Sequence, residues 1–289
     1  MEVRMIRTRG VRWTLAIAAT LALAVQAREG VEVGKNSAFA DLVPAEEVEK
    51  AAVQQYRALQ QQASQRRALL AGKHPQVQRL QRIADRIIPL ALAWNPRARG
   101  WKWEVSVIDA PEINAFCMPG GKIAFYTGLL DKLALTDDEV AMVMGHEIAH
   151  ALREHARERM GKSAVTRSAA QLGGALLAGI LGIDPRITDT VARGGATLLT
   201  LEFSRDDESE ADLVGMELAA RAGYDPRAGV SLWQKMGRLD KDSPPQWLST
   251  HPSGNNRIAE IEKNLPQVLP LYERARLAPP AAPGTVPAR

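Results

Sequence analysis

TDDEVAMVMGHEIAHAL, residues 136–152, decides how this chain folds. Thr136 followed three residues later by Glu139 is a capping box: the hydroxyl covers one free amide of a first helical turn, and the carboxylate reaches back to cover another. A helix therefore starts here. Val140, Val143, Met144, Ile148 and Leu152 recur at three- and four-residue steps and supply its buried side. His146 and His150 stand one turn apart on one face, with Glu147 beside them. At that spacing two imidazoles can grip one metal ion, and the glutamate lies near the metal rather than on it. The plain alternative is a helix that happens to carry two histidines. With 5 His in 289 residues, finding this pentad inside an apolar helix favours a metal.

A catalytic zinc needs a third protein ligand and an open position for water. His155 lies five residues beyond His150, so a continuing helix would rotate it by about 140°; it reads as a surface histidine. A third histidine six residues after the second is absent, because that position is Ala156. The other solution is a carboxylate from a second helix. Residues 204–216 read SRDDESEADLVGM, where Ser204 can cap a helix and Glu208 and Asp212 stand one turn apart. One carboxylate can ligate the metal while the other accepts the free N–H of a ligating imidazole. Read without function, the stretch is an acidic first turn that complements the helix dipole, which suits Asp206 and Asp207.

Outward from these helices, residues 101–109 (WKWEVSVID) alternate apolar and polar and predict a half-buried strand. Residues 113–118 and 122–127 flank Pro119-Gly120-Gly121 and predict a hairpin. An exposed edge of it, at Asn114, Ala115 and Phe116, could take an extended peptide by strand addition. Cys117, the chain's single cysteine, has no histidine placed for it and reads as a small buried residue. Pro44 opens an amphipathic helix with Val48, Ala52, Tyr56, Leu59, Ala63 and Leu70 on one side and a solvated, Gln-rich face on the other. Pro75 opens a second, whose end Pro89 kinks. From the end of the second hairpin strand at Thr127 to Asn264 the pattern is helical again. The fold class expected is mainly α with a small β-sheet, α+β.

The chain's 46% hydrophobic content excludes a disordered protein, and one cysteine cannot build a disulfide framework. Arg4, Arg7, Arg9 and Arg12 against Glu2 carry most of the formal net charge of +4. With 5% aromatics besides, there is neither a phosphate footprint nor a stacking platform, so nucleic acid is not an expected partner. Those arginines precede an uncharged run at 14–27 ending Val25-Gln26-Ala27, which reads as a secretory signal cut after Ala27, with an uncleaved signal anchor facing the periplasm as the alternative. No cysteine follows the run to take a lipid. The expected organisation is a signal at 1–27, a flexible segment at 28–43, one domain over 44–265 and a Pro-rich disordered tail at 266–289. The uncharged Gly- and Ala-rich stretch 168–183 falls short of the ~20 residues of a bilayer span; a core hairpin, a lid and a peripheral membrane contact all stay open for it.

Four blocks in this order, NAFCMPGGKIAFYTGLL at 114–130, HEIAH at 146–150, SRDDESEAD at 204–212 and THPSGNNRI at 250–258, resemble family forty-eight of the metallopeptidases, a gluzincin family. The likeness covers roughly 77–264 and is most similar to small periplasmic, Oma-like members. It implies an endopeptidase with one Zn2+ per chain on His146, His150 and Glu208, and Glu147 as general base. It further implies Asp212 behind a ligating imidazole, and His251 near the metal as an oxyanion stabiliser or as an occupant of the water position at rest. Arg257 would accompany His251 and contact a carboxylate. Without the resemblance His251 is equally a loop histidine. The substrates implied are unfolded or extended envelope proteins and peptides. A chaperone with a structural zinc is the competing class, and a zinc amidase a weaker third; an intact Glu147 argues for catalysis, because a structural site needs no base. Oligomeric state and cleavage specificity are not written in the residues.

Overall fold

The computed structural model describes residues 29–172, 198–239, 246–252 and 256–277. Helix α1 (Ala45–Gln65) follows Pro44 and buries Val48, Ala52, Tyr56 and Ala63, leaving Gln54, Gln61, Gln62 and Gln65 in solvent. His74 caps α2 (Pro75–Ile87) by accepting from the Gln76 amide, and the chain then tightens into a 3-10 turn, Ile88–Ala93, at Pro89. Pro89 has no amide hydrogen to donate, so the α-helical ladder cannot run on unchanged through it.

Three short strands follow: β1 (Glu104–Ile108), β2 (Ala115–Met118) and β3 (Lys122–Tyr126). Their order is β1-β3-β2. Strand β1 runs parallel to β3, with Val107 beside Phe125, and β2 antiparallel, with Cys117 beside Ile123. The hairpin turn needs its glycines. Gly120 sits at φ +81° and the Gly121 amide donates to the Met118 carbonyl at 3.1 Å, while a Cβ on Gly121 would strike the Trp103 ring. Because β3 is the middle strand, β2 keeps one edge free of any other described strand.

After α3 (Thr127–Lys132) comes α4 (Asp137–Leu152), with the capping box of Thr136 and Glu139 fully formed. Every residue of α4 from Val140 to Leu152 is buried, so it is the central helix. It is succeeded by α5 (His155–Leu172) and then, beyond a 3-10 turn at Leu198–Thr200, by α6 (Arg205–Arg221), α7 (Ala228–Met236), α8 (Gln246–Thr250) and α9 (Arg257–Leu277). One core joins Leu80, Ile83 and Ile87 of α2, Ile123 and Phe125 of β3, Met144 and Ile148 of α4, and Val214 and Leu218 of α6. Helices α4 and α6 touch backbone to backbone where Gly145 meets Gly215. A Cβ on Gly145 would lie 2.5 Å from the Gly215 carbonyl oxygen, and one on Gly215 2.5 Å from the His146 nitrogen. This close approach lets carboxylates on α6 reach imidazoles on α4.

Two expected boundaries need correction. The segment expected to be flexible at 28–43 is packed over its described part: Val31, Ala40 and Val43 are buried, a 3-10 turn spans Ala38–Leu42, and the Val31 amide donates to Glu217. At the other end α9 runs through Pro266 and Pro270 to Leu277, beyond the tail expected from 266. Val268 and Leu271 are buried there, and that burial outweighs the helix-breaking tendency of the prolines. Among the described residues no helix is long and apolar enough to cross a membrane. The expected signal, most of the 168–183 stretch and residues 278–289 lie outside the described residues.

Candidate metal centre

The i, i+4 spacing on α4 brings His146 Nε2 and His150 Nε2 to 3.0 Å of one another, and both rings are buried. Ser204 caps α6 in a second capping box, closed by Asp207, which starts that helix where its first turn faces α4. Glu208 therefore points at both imidazoles, its Oε1 at 3.3 Å from His150 Nε2 and its Oε2 at 3.5 Å from His146 Nε2. His251, just past α8, brings Nδ1 to 3.2 Å from His146 Nε2 and 3.0 Å from Glu208 Oε1. These four donors lie within 4.8 Å of one another and are all buried. Ligands of a tetrahedral zinc at about 2.0–2.1 Å are separated by about 3.3 Å, so the spacing and the mix of imidazole and carboxylate fit one Zn2+.

The electrostatics suit a cation. Burial holds His150 well below the ordinary histidine range, hence neutral, which is the form that ligates. Burial alone would raise Glu208, but its hydrogen bonds to His150 and His251 outweigh that and keep it ionised. For His251, burial opposes the charged form, and the net rise comes from the charge of Glu147 and the hydrogen bond to Glu208. Asp212 accepts from His146 Nδ1 at 3.0 Å. The Arg257 guanidinium grips Asp212 through two hydrogen bonds of 2.6 Å, donates a third of 2.6 Å to Glu208 Oε2, and lies over the Trp233 ring at 3.9 Å. Against its burial, Arg257 lowers Asp212 below the usual carboxylate range. Arg257 thus ties the Glu208 carboxylate to the one behind His146.

Glu147 is buried beside this cluster, its Oε1 accepting from the Trp247 indole N–H at 2.7 Å and lying 3.6 Å from His251 Nε2. Sequence reading missed Trp247. A buried tryptophan needs an acceptor, but nothing in the residue order says which. Trp247 also stacks on His251, ring centroids 5.0 Å apart. Along Glu147 and His150 runs a cleft lined by Asn114, Ala115 and Phe116 and by Leu199, Leu201 and Phe203. Cys117 lines it too, with burial and then the charge of Glu147 pushing its thiol well up, so the inert reading of that residue stands.

His155 is a correction. It is buried rather than on the surface, its Nδ1 2.9 Å from His150 Nδ1 and its Nε2 2.8 Å from Glu210 Oε2. The rotation argument assumed a continuing helix, whereas α4 ends at Leu152 and Glu154 turns the chain at φ +60° before α5 begins.

Two histidines from α4 and a carboxylate from α6, with a glutamate beside them, define the site of a gluzincin metallopeptidase. The sequence pattern of Peptidase family M48 matches residues 75–265, and the chain belongs to that family. Zinc is the metal this family uses, in agreement with the donor set. Relatives include the mitochondrial metalloendopeptidase OMA1 of Arabidopsis thaliana, 42% identical over 55% of this chain and 30% of its own length. From Escherichia coli, the metalloprotease LoiP is 29% identical over 63% of this chain and 70% of its own. The beta-barrel assembly-enhancing protease of the same bacterium is 30% identical over 57% and 35%. The chain spans about a third of the length of the plant OMA1 and of the assembly-enhancing protease.

Proposed function

We propose that this chain is a zinc endopeptidase that hydrolyses peptide bonds of unfolded or extended proteins, with His146, His150 and Glu208 holding the ion. When bound, zinc acidifies a water and polarises the scissile carbonyl. Glu147 takes the water's proton and delivers it to the leaving amine. The indole of Trp247 fixes the Glu147 carboxylate for that transfer. Asp212 holds the His146 ring in the tautomer that leaves Nε2 to the metal, and Arg257 keeps Asp212 and Glu208 charged and in place. His251, whose Nδ1 lies 3.2 Å from His146 Nε2 and 3.0 Å from Glu208 Oε1, would in this reading help hold the ion at rest. An extended chain docks along β2 at Asn114, Ala115 and Phe116, and its backbone pairs with the free edge.

The observation that carries this reading is Glu147 beside the donor cluster and on the wall of a cleft that the edge strand β2 also lines. Work on envelope proteins is supported by the Arg-led apolar leader and by the name of the Escherichia coli assembly-enhancing protease. The test is cleavage of unfolded casein by the purified chain, with and without a chelator, against Glu147→Gln. Zinc-dependent cleavage lost in Glu147→Gln is expected. Binding of casein with no cleavage by the zinc-loaded wild type would favour the chaperone reading instead.

A further inference from the structure

His155 and Glu210 are ionisable groups packed against the metal centre that the proposed reaction does not use. The two Nδ1 atoms of His150 and His155 lie 2.9 Å apart, and two imidazole nitrogens can pair only if one carries the hydrogen and the other a lone pair. His150 turns Nε2 to the donor cluster, so as a ligand its hydrogen is on Nδ1. His155 Nδ1 then accepts, and its own hydrogen is on Nε2, 2.8 Å from Glu210 Oε2, which accepts in turn. Arg153 Nη2 completes the series, donating to Glu210 Oε1 at 2.7 Å and to the Gly34 carbonyl at 2.5 Å. Once His150 ligates, every donor and acceptor in this series has one assignment.

We propose that His155, oriented by Glu210 and Arg153, is the positioning residue of the second zinc-binding imidazole, locking His150 in the tautomer whose Nε2 is open to the metal. The proposal rests on the reading of His150 as a zinc ligand. The two ligating histidines are thereby anchored differently. His146 leans on the carboxylate of Asp212 directly, whereas His150 leans on a carboxylate through an intervening imidazole. The turn at Glu154 makes this possible, because it returns His155 to the Nδ1 side of His150, which a straight helix would not.

The test compares His155→Leu and His155→Asn in the full chain, reading zinc affinity by chelator competition and the melting point of the metal-free protein. Asparagine places Oδ1 where Nδ1 was and still accepts from His150; leucine cannot. Zinc affinity about 10- to 100-fold weaker in His155→Leu, recovered to within about threefold in His155→Asn, is expected, with metal-free melting points that do not track the difference. Equal weakening in both, or none in either, overturns the proposal. Nitrogen-15 spectra of the zinc-loaded wild type provide a test that needs no variant. Hydrogen on Nδ1 of His150 and on Nε2 of His155 is expected, and hydrogen on Nδ1 of His155 overturns the assignment. His150→Ala separates the two levels: zinc retained at wild-type affinity there would sink the ligand reading itself, whereas zinc lost there and unchanged in His155→Leu would sink the positioning role alone.

Discussion

Glu147 and Glu208 are both buried carboxylates within reach of His251, yet their surroundings differ. Glu208 faces two imidazole nitrogens and the Arg257 guanidinium, a setting for an ionised ligand. Glu147 faces the cleft and one indole N–H, where the proposed base would meet substrate. Glu208→Ala should therefore lose zinc. Glu147→Gln should keep it and lose about 100-fold or more in kcat, and elemental analysis beside a casein assay reads both; equal zinc loss would mean the roles are exchanged. Asp212→Asn can still meet the His146 ring but lacks the charge that raises its basicity, so zinc affinity should fall about 10- to 100-fold, measured by chelator competition. Trp247→Phe keeps the ring against His251 and removes one hydrogen bond to a carboxylate, an effect of about 1.5–3 kcal/mol. A lower kcat at unchanged zinc content is the expected outcome.

At the scale of elements, the site depends on how closely two helices meet. The Gly145–Gly215 contact leaves no room for a methyl group, since the atoms in the way belong to backbone. Gly215→Ala should cost about 1–3 kcal/mol of stability, and by moving α6 off α4 it should weaken zinc binding as well; denaturant melts and metal titration test the two together. The start of α4 is a separate matter. Glu139 accepts from the Thr136 amide and from Lys235, and against its burial these contacts lower it below the usual carboxylate range. Its contribution is thus complete above the unfolded carboxylate value and fades as pH drops through the lowered one. Glu139→Gln should flatten the loss of stability seen on acidification below about pH 4.5, while Thr136→Ala should cost about 1 kcal/mol at neutral pH. Acid melts in which wild type and Glu139→Gln run parallel would remove that account.

For the whole molecule, zinc bound as proposed would be a tie between parts distant in sequence, because the four residues able to hold it come from α4, α6 and the position after α8. A ligand that binds only the folded state stabilises it by about 2.7 kcal/mol at a hundred times its dissociation constant. The melting point should accordingly drop on chelation and recover with about one zinc per chain. Docking on the β2 edge makes its own demand. A model peptide with proline at a position paired to that edge should resist cleavage, because the missing N–H breaks the ladder, and a peptide cut equally well with proline at every flanking position would rule the strand mode out. Folded proteins, whose backbones are already paired, should resist.

The sequence by itself determined the helices at both capping boxes, the hairpin around Pro119-Gly120-Gly121, and the convergence of His146 with His150, because each depends on residues within a few positions of one another. Local chemistry sets those distances. It also marked Glu208 and Asp212 by their one-turn spacing on a second helix, and His251 and Arg257 only through a family pattern. Their meeting required α6 and the chain past α8 to close on α4, which packing such as the Gly145–Gly215 contact permits. Only the tertiary structure decided that Trp247 holds Glu147, that His155 turns inward, and that α9 survives two prolines. Each of these depends on contacts between residues far apart in the chain, or on a turn that periodicity does not register. Burial and hydrogen bonding across such distances are fixed when the core closes, and no spacing along the chain encodes them directly.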